Sequence, residues 1–204
     1  MDRRAFLQAA GLSAAALAGC TAPNESPGNG TGPNGTPTTD PAPPSSLTNP
    51  SFESQLEGWT VGRDLPTDPN TGDPVETDAT TTDERANDGE RSLALFIDGL
   101  QDDGTLWVQQ PVDLSDAETL AFDVYSPSES FNTRAKVAAY AGPGGELAEE
   151  DFDTTAAADG HEGWNTFEYD VTSAAEGIVA VGVSMVWETK LTTLLDNVRL
   201  RGGE

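Results

Sequence analysis

The chain has 204 residues, with 35 acidic side chains against 10 basic ones, a single histidine, a single cysteine and a formal net charge of −25. So acidic a balance lacks the Lys/Arg footprint that a phosphate backbone demands, and nucleic acid is excluded as a partner. One thiol leaves no disulfide framework, no thiolate zinc cluster and, placed as it is near the N-terminus, no cysteine catalysis.

In chain order, residues 1–19 read "MDRRAFLQAAGLSAAALAG", two arginines followed by an apolar run with a small-residue ending. This is the layout of an export signal, and the run is shorter than the roughly 20 apolar residues a bilayer span needs. Arg3 and Arg4, followed by Ala5, Phe6 and Leu7, resemble a twin-arginine (Tat) signal, with Asp2 where Ser or Thr is usual. "LAGC" at 17–20 resembles a lipobox, which implies cleavage before Cys20 and lipid on its thiol, the most nucleophilic ordinary side chain. Two chains on that sulfur-bearing terminus hold a protein to membrane stably where one is marginal. The expectation is a lipoprotein on the outer face of the cytoplasmic membrane, at the cell surface.

Residues 20–46 are Cys20 and then, from 21, "TAPNESPGNGTGPNGTPTTDPAPPSS", nearly all Pro, Gly, Thr, Asn and Ser. Nothing there can enter a core, so the segment is read as a disordered linker, a stalk reaching about 3.1 Å per residue when extended. Asn24, Asn29 and Asn34 each begin an Asn-x-Ser/Thr sequon and are glycosylation candidates. Removing residues 1–19 takes away Asp2, Arg3 and Arg4 and leaves 34 acids against 8 bases, net −26. Such a surface repels itself in dilute buffer, but the screening length falls to about 3 Å in molar salt. The pattern resembles proteins of salt-loving (halophilic) archaea.

The remaining residues, 47–204, suffice for one domain with a core. Their dominant period is two. "TLAFDVYS" at 119–126 sets Leu120, Phe122 and Val124 against Ala121, Asp123 and Tyr125. "TRAKVAAYA" at 133–141 sets Arg134, Lys136, Ala138 and Tyr140 against Ala135, Val137, Ala139 and Ala141. Both read as strands with one buried face. "GIVAVGVSMVW" is apolar on both parities, as a central strand covered on both sides is. "SLALFID", "LWVQQPV", "NTFEYDV" and "TTLLDNVRL" are further strands, punctuated by turn-rich "AGPGGE" and "AADGHEG". With no long amphipathic helix, the fold class is all-β, a closed or two-sheet architecture.

The opening "LTNPSFESQLEGWTV", the closing "LLDNVRL", and between them "GERSLAL", "WVQQPVDLSDAETLAFDV" and "GWNTFEYDVT", resemble the jelly-roll carbohydrate-binding modules (galactose-binding-like β-sandwiches) that accompany mannanases and endoglucanases. The resemblance spans 47–201. It implies a jelly-roll β-sandwich of two antiparallel sheets, a polysaccharide or glycan partner and no catalysis. It also implies a structural calcium, with Glu53 from "FE" and Asp196 from "DNV" as ligands; hard oxygen donors suit that ion.

A sugar ring stacks its C–H face on an aromatic and offers its hydroxyl rim to polar side chains. Parity selects Asp123 and Tyr125 on one strand, Arg134, Lys136 and Tyr140 on the next, and Trp107 with Gln109 on a third. If these faces share one concave sheet, they form a groove with aromatic platforms and a cationic pair. Trp187 shares parity with Val179, Val181, Val183 and Met185 and is assigned to the core, as are Trp59 and Trp164, which follow glycines at strand entries. His161 is read as an exposed loop residue, and the acids of "ELAEEDFD" as a solvated loop. The expectation is a monomeric, non-catalytic sugar-binding module. The alternatives are a small surface polysaccharide hydrolase or lyase on the same sandwich, or a scaffold for another envelope protein.

Overall fold

The computed structural model describes residues 46–99, 103–187 and 189–202. The export signal, Cys20, the linker and its three sequons lie outside the described residues. Nine strands are present: β1 (Thr60–Asp64), β2 (Thr77–Thr82), β3 (Ser92–Ile97), β4 (Thr105–Val112), β5 (Thr119–Ser126), β6 (Ala135–Pro143), β7 (Gly163–Asp170), β8 (Gly177–Met185) and β9 (Leu191–Arg201). They form two antiparallel sheets, one in the order β1-β4-β8-β6 and the other β2-β3-β9-β5-β7. From β4 onward each strand lies in the sheet opposite its predecessor, which is the jelly-roll path. Among the described residues the helical structure is one 3-10 turn, Glu149–Asp151.

Alternation builds the core. Leu93, Leu95, Leu120, Phe122, Val124 and Leu195 project from the five-stranded sheet against Leu106, Val108, Val137, Val179, Val181 and Val183 of the other, all fully buried. Each large side chain so placed contributes about 1.5–3 kcal/mol. Trp59 joins this core, as expected, with its indole N–H donating to Asn49 O at 3.0 Å.

β8 is central in its sheet, flanked by β4 and β6, and both its faces are covered as its two-sided apolar pattern predicts. The outer cover is a second cluster: Trp107, Ala138 and Ala180, roofed by Phe152 from the segment after β6. The Trp107 indole fits because two glycines make room for it. A Cβ on Gly62 would stand 2.2 Å from Trp107 Cε2, and one on Gly182 2.6 Å from Trp107 Cβ. The Phe152 ring closes over it at 4.9 Å between centroids.

The free edge of β6 is also occupied. Val137 N–H donates to Ala156 O, Ala139 and Asp153 exchange backbone bonds, and Ala158 N–H donates to Ala135 O, so residues 153–158 run along that edge.

Gly62→Ala is expected to lower stability by about 1–3 kcal/mol through overpacking against Trp107. Denaturant unfolding reads this as a lower midpoint with an unchanged slope; an unchanged midpoint would show that the indole is not held in this notch.

Candidate functional site

The seven side chains selected by parity do not share a sheet. Trp107, Gln109, Lys136 and Tyr140 belong to the four-stranded sheet, and Asp123 and Tyr125 to the five-stranded one. Alternation states which side of a strand a residue takes, but not which sheet the strand joins. Trp107 is 3% exposed, lies beneath Phe152 and donates its indole N–H to Gln109 Oε1 at 2.6 Å, so it offers no platform. Tyr140 donates its hydroxyl to Pro143 O and lines a cleft of about 460 Å³ between the edges of β6 and β7, with Asp151, Asp153, Phe167 and Tyr169.

Asp123 faces outward beside Tyr125, yet it is 2% exposed and saturated. Its Oδ1 accepts from Thr166 Oγ1 (2.6 Å) and Arg199 Nη2 (3.0 Å), and its Oδ2 from Asn87 Nδ2 (2.6 Å), Asn197 Nδ2 (2.9 Å) and Arg199 Nη1 (3.1 Å). A register shift between β5 and β9 accompanies Asn197, whose φ is 55°. Burial pushes the Asp123 carboxyl up, but the bonds from Arg199, Thr166, Asn197 and Asn87 outweigh it and hold the group below its usual range. No acceptor capacity is left for a sugar, so Asp123 is a fastener and not a ligand contact.

Glu53 and Asp196 act on one segment from two sides. Glu53 Oε1 accepts from Glu90 N and Arg91 N at 2.8 and 2.9 Å. Asp196 Oδ2 accepts from Asn87 N and Asp88 N at 2.6 and 2.8 Å, and Oδ1 from Asn197 N at 2.7 Å. Burial raises the Asp196 carboxyl against the pull of those N–H bonds. Among the described residues no group of three or more acids, histidines or cysteines is placed to hold a metal. The donor chemistry of the two acids still suits a hard cation: Asp196 is fully buried without an ion-pair partner among the described residues, and Glu53 Oε2 has no protein partner there.

Two expected site residues are brought together, Tyr125 and Arg134, which line a small recess beside Asp159. Arg134 lies just ahead of β6, where Asp159 Oδ2 accepts its Nε–H at 2.9 Å and its backbone N–H at 3.2 Å. Val186 N–H donates to Arg134 O and Ser130 N–H to Asp159 O, tying the β5–β6 and β8–β9 connections to this pair. Arg134 also lines a shallow depression of about 450 Å³ with Ser130, Phe131, Asn132 and Trp187.

The aromatic residues of this surface are ones that parity missed or misplaced. Phe131 is fully exposed and Trp187 is 58% exposed, against the expectation of a core tryptophan. β8 ends at Met185, so its alternation does not reach Trp187. Phe131 sits in the otherwise polar "SPSESFNTR", where an aromatic with no strand to bury it was the available signal. Trp164, expected in the core, is half-buried on the outer face, its ring 5.4 Å from that of Tyr125. The Arg85 guanidinium lies over Tyr125 at 4.8 Å. His161 is half-buried, with Nε2 3.0 Å from Val124 O.

No family model matches the sequence, and no curated protein matches it. Among solved structures, similarity extends to the enzymatically active domain of tailspike protein 4 of bacteriophage CBA120, with a TM-score of 0.50, 14% identity, and coverage of 77% of this chain and 21% of that one. A structure on carbohydrate-binding modules of the beta-sandwich superfamily aligns with a TM-score of 0.48 and 13% identity over 78% of this chain; the chain spans 63% of that one, less than two thirds. The family 11 carbohydrate-binding module of the cellulase Lic26A-Cel5E of Clostridium thermocellum gives a TM-score of 0.44 and 12% identity over 72% of this chain and 88% of that one. The tailspike likeness is one of fold alone.

Asp123 sets a pH dependence with a definite sign. Its folded value is depressed, so its stabilisation is complete above its unfolded value near pH 4 and is lost as pH falls through the folded value. Asp123→Asn is expected to cost about 1.5–3 kcal/mol at neutral pH, the scale of hydrogen bonds to a charged group. Denaturant titrations should show the gap between the two proteins closing as pH falls below the unfolded carboxylate value; a gap that stays as wide as at neutral pH would contradict the assignment.

Proposed function

We propose that this chain is a non-catalytic glycan-binding module. The observation that carries the reading is the depression at the sandwich end, where exposed Phe131 and Trp187 flank Arg134 with Asn132 and Ser130 at hand. Two rings offer stacking faces and the three polar side chains offer hydroxyl partners, which is the chemistry a pyranose requires. Among the described residues lining this depression there is no carboxylate, while glycoside hydrolysis uses two. Glu149, whose carboxyl is raised by burial and then by Asp103 and Asp64, lines neither this depression nor the β6–β7 cleft.

The module's proposed setting is the cell surface, after twin-arginine export, held by lipid on Cys20 and lifted by the Pro/Gly/Thr/Asn-rich linker, in molar salt. The acid-rich composition and the motifs at residues 3–4 and 17–20 support that setting.

Affinity electrophoresis in molar salt against a panel of neutral and acidic polysaccharides is expected to show retardation by at least one of them. Phe131→Ala and Trp187→Ala should each weaken it about tenfold, the scale of one lost stacking contact, and Tyr140→Ala should leave it unchanged. Retardation by no member of the panel would refute the reading.

A structural calcium held by Glu53 and Asp196, completed by backbone carbonyls, is proposed on the donor chemistry of these acids. Thermal unfolding in chelator-treated buffer should then rise on adding calcium for the native protein and stay flat for Asp196→Asn. A calcium-independent transition in the native protein would dismiss the ion.

A further inference from the structure

Two arginines stand on the aromatic surface, and both present N–H donors that the protein does not use. Arg134 gives its Nε–H to Asp159, while Nη1 and Nη2 have no protein acceptor among the described residues; its side chain remains 40% exposed. Asp159 thus fixes the guanidinium plane and leaves its outer fork open toward the depression that holds Phe131 and Trp187. Arg85 lies over the Tyr125 ring, its guanidinium carbon 4.8 Å from the centroid, and its side chain makes no hydrogen bond or ion pair among the described residues. Arg63, Arg91 and Lys136 are likewise without an ion pair among the described residues; what sets Arg85 apart is its place over the Tyr125 ring. The two positions are joined, because Tyr125 and Arg134 line the same recess.

We infer that the polysaccharide recognised here carries carboxylates, as a uronate polymer does, and that Arg134 and Arg85 read them. This rests on the glycan-binding reading above and narrows its ligand class. A planar guanidinium fork matches a carboxylate with two parallel bonds, which lysine does not reproduce. Neutral sugars need no cation, and this chain is rich in Asn, Asp and Thr that serve hydroxyls. The net negative charge of the protein is no obstacle in molar salt. There the screening length is about 3 Å, so long-range repulsion is silenced and only pairs in contact count.

The test is isothermal titration in molar salt with oligogalacturonate and with its methyl ester, which share one backbone and differ only in the carboxylates. Neutral mannan and dextran sulfate are the comparison ligands. Oligogalacturonate is expected to bind at least tenfold more tightly than its ester and than mannan. Arg134→Lys should lower its affinity about tenfold, the loss of one bidentate pair, and lower ester and mannan affinity by clearly less, since a lysine still serves a hydroxyl. Arg85→Gln, at an exposed position, should act in the same direction and guards against misfolding of the first variant; unchanged thermal unfolding of each certifies the comparison. Equal binding of acid and ester, indifference of acid binding to both substitutions, or equal binding of dextran sulfate would overturn the inference while leaving a glycan-binding module. Binding of no saccharide at all would remove the broader reading with it.

Discussion

Three carboxylates converge on one loop, and the outer face of the five-stranded sheet depends on them. Asp123 takes the Asn87 side chain, Asp196 the backbone N–H groups of Asn87 and Asp88, and Glu53 those of Glu90 and Arg91. The same segment is tied at its start by Ser92 Oγ, which donates to Arg85 O at 2.7 Å. Backbone N–H groups in an irregular connection need partners once they are shielded from water, and here charged acceptors supply them. The outcome is that Arg85, an exposed residue on a connection, is held over Tyr125 by anchors that lie in the first and last parts of the domain.

The carboxylates of this chain therefore do two kinds of work. Most face solvent, where they set the charge of the surface. Asp98, Asp123, Asp159 and Asp196 are buried, and each is engaged by a lysine, an arginine or backbone N–H groups. A buried charge is tolerated only with such partners. Asp159 shows how this reaches the candidate site, since the carboxylate that ties down the β5–β6 connection also orients the Arg134 side chain that lines the depression.

Much of the architecture was readable from alternation. β3 through β9 each coincide with an apolar pattern, and the two-sided pattern of β8 foretold its central, covered place. β1 was marked only by the strand entry at Trp59 and β2 not at all, because "TVGRD" and "TDATTT" are edge strands, each paired on one side, with little apolar content to alternate. The candidate site was read less well. Trp107 has the parity of an outward residue and the burial of a core one, because Phe152, 45 positions later, forms a roof that no local pattern announces. Asp123 looked available because its five hydrogen-bond donors come from Asn87, Thr166, Asn197 and Arg199, which only the folded topology gathers. Arg134 stood out as an oddity of charge, and its neighbours Phe131 and Trp187 sit on connections where strand periodicity says nothing.

The pairing of residues 153–158 along β6 has a consequence for how such a molecule stays dispersed. Mutual repulsion among acidic proteins is the usual guard against sticking, and concentrated brine extinguishes it. An uncovered strand margin would then recruit neighbours through its unmet amides and carbonyls. Sealing that margin with its own backbone takes the β6 edge out of such pairing without any contribution from charge, whatever the salt.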